Sequence, residues 1–213
     1  MNDIVQNLPQ IMAAYLVYLV AVISPGPAIM AIVSTSIAQG RQAGLTMAAG
    51  VFAGSFTWAM AASFGLAALL THYAQLLQLL KIAGGLYLLY LAYKALRSAL
   101  RKEEMLPETG KAAPRTLTQT FLLGYAIHLT NPKAIFAWLA IISIGLPAPA
   151  SIEAVGFIVG GCLATGITVF AGYALLFSTS GALAVYRRAR RGIDGTMALL
   201  FGVAGVKLLT ARL

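Results

Sequence analysis

The stretch AAYLVYLVAVISPGPAIMAIVSTSIA, residues 13–38, carries no charged side chain, yet Ser24-Pro25-Gly26-Pro27 lies in its middle. A helix needs about 20 apolar residues to cross a bilayer, and this run is long enough. A proline removes a backbone donor and clashes with the preceding turn, so two prolines around a glycine break a helix more readily than they bend it. A second apolar run carries Thr130-Asn131-Pro132-Lys133 at the equivalent place, with Thr130 lying 106 residues after Ser24. Each interruption sets a candidate N-cap (Ser24; Thr130 or Asn131) before a proline suited to the first position of a new helix. A plain proline kink is the simpler reading of either site alone. The pair points further, because unpaired backbone within a membrane is tolerated only inside protein or beside a wet cavity.

Composition fixes the setting. Of 213 residues, 60% are hydrophobic and 10% charged, against about 25% charged in a soluble domain. The mean hydropathy is +0.84. So little charge cannot cover so much apolar surface in water, and the chain reads as an all-α integral membrane protein. The expected spans are 9–37, 43–70, 74–97, 117–145, 151–179 and 193–211, the last short and glycine-containing. Met1–Gln10 has no Lys or Arg and carries Asp3, so the first run is expected to be an uncleaved span rather than a signal peptide.

The net charge of +9 comes from 15 Lys and Arg against 6 Asp and Glu. The basic residues cluster over Lys94–Arg115 and Arg187–Arg191, with Arg41 between the first two spans. Positive loops stay cytoplasmic, which predicts both termini on the periplasmic side; Lys207 and Arg212 weigh against this. The clusters therefore read as topology and not as a nucleic-acid surface, for which no soluble domain exists. One cysteine, Cys162, excludes an intramolecular disulfide and a paired-thiol redox centre. Two histidines, His72 and His128, are too few for a His-rich metal site, and no cofactor is expected.

Residues 98–116, SALRKEEMLPETGKAAPRT, form the one long polar stretch and read as a cytoplasmic linker. They divide a single membrane domain into halves 1–97 and 117–213 of three spans each. Three is odd, so the halves would be inverted. Ala48-x-Gly50-x3-Gly54 meets Ala154-x-Gly156-x3-Gly160 at the 106 offset, and Ile82-x-Gly84 meets Ile193-x-Gly195 at 111. Inverted repeats with broken helices are a common transporter architecture. Two half-helix N-termini would then face each other, with free N–H groups suited to a carboxylate.

Lys133 sharpens the case. A lysine in a span costs several kcal/mol on insertion scales and is usually paired or functional, and no Asp or Glu falls in an expected span core. An anionic substrate group or a carbonyl freed at a break would satisfy it; snorkelling to an interface is the alternative. His128 is a candidate for proton handling or a packing histidine near a helix end. Gly50, Gly54, Gly156 and Gly160 read as helix-packing positions. Trp58 and Trp138 sit mid-span, to line a cavity or to pack. Ser34, Ser36, Ser55, Thr57, Thr165 and Thr168 either line a path or bond their own helices.

Ser24-Pro25-Gly26-Pro27, Gly50 and Gly54, Gly84-Gly85-Leu86-Tyr87-Leu88, and Gly124-Tyr125 through Leu129-Thr130-Asn131-Pro132-Lys133-Ala134 together resemble the LysE/RhtB family of amino-acid exporters over nearly the whole chain. The resemblance implies a bacterial inner-membrane secondary exporter of amino acids or close derivatives, driven by the proton-motive force, and not an enzyme. Its motif positions fall on Pro25, Gly26, Pro27, Asn131, Pro132 and Lys133, which with Ser24 make the expected substrate site. The branch directed at basic amino acids tends to carry acids in its spans; their absence here resembles the neutral-substrate branch (threonine, homoserine, branched-chain). The expected partners are the substrate, protons and lipid, with a homo-oligomer open. A channel or scaffold without coupled transport is the alternative.

Overall fold

The computed structural model describes residues 8–70, 74–101, 115–145, 152–179 and 181–210. Among these the chain forms seven α-helices and no strand: α1 Leu8–Ile23, α2 Pro27–Leu70, α3 Ala74–Leu100, α4 Leu117–Leu129, α5 Pro132–Gly145, α6 Ile152–Phe177 and α7 Ala182–Thr210. Helix α1 stops before Ser24 and α2 starts at Pro27; α4 stops before Thr130 and α5 starts at Pro132. Both prolines thus occupy the first helical position, where a missing N–H costs nothing.

Two boundaries differ from expectation. The connection between the first two spans is a single residue, Gly40, at φ 80° and ψ −176°. That region is open essentially only to glycine, so one residue kinks the chain inside α2. Helix α7 begins at Ala182 rather than near 193, so Arg187–Arg191 are helical and not in a loop. The run ALAVYRRARR has no Gly or Pro, and alanine, leucine and arginine are good helix formers. The expected linker lies mostly outside the described residues. Its end is visible: Thr116 accepts from the Gln119 amide at 3.2 Å while the Gln119 side chain accepts from the Thr116 amide at 3.1 Å, a capping box that fixes the start of α4.

Pro27–Phe64 and Glu153–Phe177 are long and apolar enough to cross a bilayer, while Leu8–Ile23 and Pro132–Ile142 are shorter apolar helices. Large apolar side chains stand exposed, among them Leu16, Leu122, Phe157, Leu176 and Leu199. Such a surface suits lipid and not water.

The centre is a cluster from α1, α2, α5 and α6 that buries Tyr18, Ile32, Val51, Trp138, Ile141 and Ile158. Helices α2 and α4 touch backbone to backbone. A Cβ on Gly54 would sit 2.9 Å from His128 Cβ, one on Gly124 would sit 2.5 Å from the Met47 carbonyl, and Gly50 lies against the Phe121 carbonyl. Gly156 and Gly160 do not pack as expected: they are exposed, and a Cβ on either meets nothing within 4 Å. On α6 the close approaches fall to Gly161, against Tyr15, and Gly166, against the Tyr18 hydroxyl. The repeat pattern put the glycines at matching positions, but the neighbour that fills the gap is an α1 tyrosine and sits elsewhere.

Helices α3 and α7 run antiparallel, since Gly85 meets Gly205 and Leu209, Gly202 meets Ala92, and Ser98 meets Asp194. The Ser98 hydroxyl donates to Asp194 Oδ2 at 2.8 Å, and Asp194 is buried. The early start of α7 makes this carboxylate an interior residue, contrary to the expectation that no Asp or Glu lies in a span core.

Candidate substrate site at the two helix breaks

The two breaks touch. Lys133 Nζ donates to the Ser24 carbonyl and to the Ser24 hydroxyl, each at 2.7 Å. Lys133 is 7% exposed and Ser24 3%, so the lysine does not snorkel. Its ammonium also stands 5.9 Å from the centroid of the Phe201 ring on α7. Among the described residues its partners are the carbonyl and hydroxyl at the end of α1, and no carboxylate. A buried ammonium keeps its charge tolerable only by such hydrogen bonds.

Each break must supply partners for carbonyls that lose theirs at a helix end. The Ile23 carbonyl accepts from the Tyr173 hydroxyl at 2.8 Å, and the Leu129 carbonyl accepts from Trp58 Nε1 at 3.0 Å. Ile23 and Leu129 are themselves 106 residues apart. Each is served by an aromatic donor from the other half of the chain. Trp58 thus has a specific task at the second break.

The helix starts differ. Asn131 caps α5: its Oδ1 accepts from the Lys133 amide at 3.1 Å, and its carbonyl accepts from Ala134 at 3.0 Å and Ile135 at 3.3 Å. Gly26 holds the cap position of α2, its carbonyl accepting from Met30 at 2.9 Å. Ser24 is therefore not a cap: its amide donates to the Val20 carbonyl at the end of α1 and its hydroxyl accepts from Lys133. Glycine offers no side-chain acceptor, so the first amides of α2, at Ala28 and Ile29, keep their free donors.

Beside this junction lies a cavity of about 40 Å³, lined in part by Gly26, Asn131, Lys133 and His128. That volume holds roughly three waters. Ala28 and Ile29 also line it, as do Tyr18, Ser55, Trp138 and Phe170. Pro27 and Pro132 are exposed and Pro25 is half-buried; none of the three lines the cavity. The prolines start and separate helices, while the glycine, asparagine and lysine of the same motifs form the wall.

Of the hydroxyl residues singled out earlier, Ser34, Ser36, Thr57, Thr165 and Thr168 donate to carbonyls of their own helices. Ser55 instead accepts from Trp138 Nε1 at 3.1 Å. Sequence reasoning missed Tyr18 and Phe170. The signal for Tyr18 was available: like the two tryptophans, it is an aromatic residue with a polar tip placed mid-span, away from an interfacial belt. Among the described residues no group of three metal-ligating side chains occurs.

The family of LysE type translocators matches residues 19–212. This chain belongs to the LysE type translocator family. The translocator is 29% identical over 197 residues to the threonine efflux protein of Escherichia coli K12, a match covering 92% of this chain and 96% of the relative. It is 26% identical over 192 residues to the uncharacterized membrane protein YahN of the same strain, covering 90% of this chain and 85% of YahN. A leucine efflux protein of Enterobacter sp. 638 is 32% identical over 119 residues, 56% of this chain and 55% of that protein. No solved structure matches. The translocator is a membrane protein of a transport family.

Proposed function

We propose that this translocator exports small neutral amino acids across the bacterial inner membrane, driven by the proton-motive force. The observation that carries the reading is the junction itself: a buried lysine of one helix break held by the other, beside an open helix start. The substrate carboxylate takes the free amides at the start of α2 and replaces Ser24 as the partner of Lys133. Among the described residues no carboxylate lines the cavity, so a cationic side chain would face Lys133 without a counter-charge, and a neutral side chain fits. Efflux relatives named for threonine and leucine agree with that class.

The halves 1–97 and 117–213, joined by the cytoplasmic linker 98–116, act as inverted repeats with both termini periplasmic. They rock about the junction by alternating access. A cavity of about 40 Å³ is too small for an amino acid, so loading requires the halves to part. His128, on the cavity wall, is the nearest candidate for carrying the coupled proton.

The test is efflux of labelled threonine and leucine from vesicles bearing wild-type protein or Lys133→Ala. Wild type exports uphill and stops when a protonophore collapses the gradient; Lys133→Ala falls to the background of empty vesicles. Undiminished export by Lys133→Ala removes the lysine from the mechanism. Downhill flux that ignores the protonophore would make the protein a channel.

A further inference from the structure

Helices α3 and α7 run antiparallel, and the bond from the Ser98 hydroxyl to Asp194 Oδ2 at 2.8 Å sets their register. Three residues onward along α3 and three back along α7 bring Arg101 level with Arg191. The last turns of α3 and the first turns of α7 therefore share one end of the pair. Lys94, Arg97 and Arg101 are exposed there on α3, and Arg188 and Arg191 on α7. Positions 94, 97 and 101 follow the three- and four-residue spacing of a single helix face. Residues 94–115 hold six basic and three acidic side chains, and residues 187–194 hold four and one. The balance stays positive with every acid counted.

The same face of α7 continues as an apolar groove. Ala198 and Gly202 leave it open, Leu199, Val203 and Val206 border it, and it reaches Thr210. At 3.6 residues per turn, Arg188 and Arg191 fall on the arc of Ala198, Gly202 and Val206. A different face, carrying Asp194, Met197 and Phe201, is buried, and Phe201 is the ring beside Lys133. From 198 to 210 the groove is about 18 Å long at 1.5 Å per residue, close to the roughly 15 Å of hydrocarbon in one leaflet. Leu96 and Leu100 stand exposed among the cations of α3. Such a mixture belongs at the boundary between acyl chains and headgroups.

A cationic rim at the head of an apolar groove of lipid length complements one kind of molecule, a phospholipid of net negative charge. Arginine takes phosphate oxygens in a planar fork. A zwitterionic headgroup would bring its own ammonium against the arginines, and a soluble phosphate would leave the groove bare. We infer that α3 and α7 form a binding site for an anionic phospholipid. Its phosphate rests on Arg188 and Arg191 with Arg97 and Arg101 alongside, and one acyl chain follows the groove. The lipid then steadies, from outside, the helix whose inner face meets Lys133. The inference does not depend on which amino acid is exported.

Thermal unfolding of the full-length, detergent-solubilised protein tests it, with phosphatidylglycerol or phosphatidylcholine of identical chains added. A ligand of the folded state raises the midpoint, and phosphatidylglycerol is expected to raise it by about 2–4 °C more than phosphatidylcholine. Glycerol phosphate at the same concentration should not. Arg188→Gln with Arg191→Gln should remove most of the difference. Val206→Trp, which fills the groove from an exposed position, should also reduce it although every arginine remains. Equal shifts by the two lipids overturn the inference, and so does an undiminished difference in the double glutamine variant. A shift by glycerol phosphate as large as that by the lipid would make the arginines a site for free anions and overturns it as well. If the double variant does not fold, the wild-type comparison and Val206→Trp decide: a lipid preference that ignores the tryptophan leaves the groove unused and the inference wrong.

Discussion

The break between α1 and α2 and the break between α4 and α5 stand 106 residues apart in equivalent places, yet they are finished differently. Apart from Trp58 at the Leu129 carbonyl, the second is closed by its own residues. Thr130 returns its hydroxyl to the Ala126 carbonyl at 2.8 Å, and Asn131 caps the helix that follows. The first borrows. Its carbonyl end depends on Lys133 and Tyr173 from the other half, and its helix start, at Gly26, has no side chain to fill it. The closed break therefore supplies a cation, and the open break leaves donors free. Sequence alone suggested two equivalent N-termini facing a carboxylate. The structure leaves one open, because Asn131 already occupies the other.

Replacing Lys133 by methionine should have the largest effect on this contrast. The Ser24 carbonyl and hydroxyl lose their donor while buried, at a cost of about 1–3 kcal/mol, and export should drop to background. Efflux together with denaturant unfolding in detergent measures both. Gly26→Asn should come next, because it gives the first break the cap that the second already has. A Cβ at Gly26 would lie 3.4 Å from Lys133 Nζ, an ordinary contact, so the fold should persist while export falls several-fold or more. Full export by Gly26→Asn would show that the α2 amides do not hold substrate.

Asn131→Ala should cost about 1 kcal/mol, the usual worth of an N-cap, with a smaller loss of export than Lys133→Met. Thermal unfolding reads the first and efflux the second. Smallest of all, Tyr173→Phe and Trp58→Phe each remove one donor to a helix-end carbonyl. Each should cost about 0.5–1.5 kcal/mol, and the two costs should agree, since here the breaks are treated alike. A much larger loss for one of them would show that the breaks share less of the load than their geometry suggests.

Where a backbone group loses its partner was legible in the sequence; who replaces the partner was not. Prolines 25, 27 and 132 mark the interruptions, because the rule they follow is local. Ser24 looks like a cap by the same local rule, but α2 starts at Pro27 with Gly26 in the cap position, and the Ser24 hydroxyl serves a lysine 109 residues away. Lys133 without an acidic partner was visible from composition, and a freed carbonyl was one of the partners foreseen for it. Gly156 and Gly160 repeated the pattern of Gly50 and Gly54 without the neighbour that makes glycine necessary. The arginine-rich run before Asp194 looks like a loop by its charge, yet its residues favour a helix, and the longer α7 carries Asp194 into the interior.

One consequence concerns the return stroke. On the exporter reading the carrier must reorient empty after each release. A lone ammonium in the membrane interior would strand a charge at that moment and raise the barrier to resetting. The Ser24 carbonyl and hydroxyl, at 2.7 Å from Lys133 Nζ, stand in for the departed carboxylate. The same two oxygens that substrate must displace to load are those that let the unloaded carrier turn over.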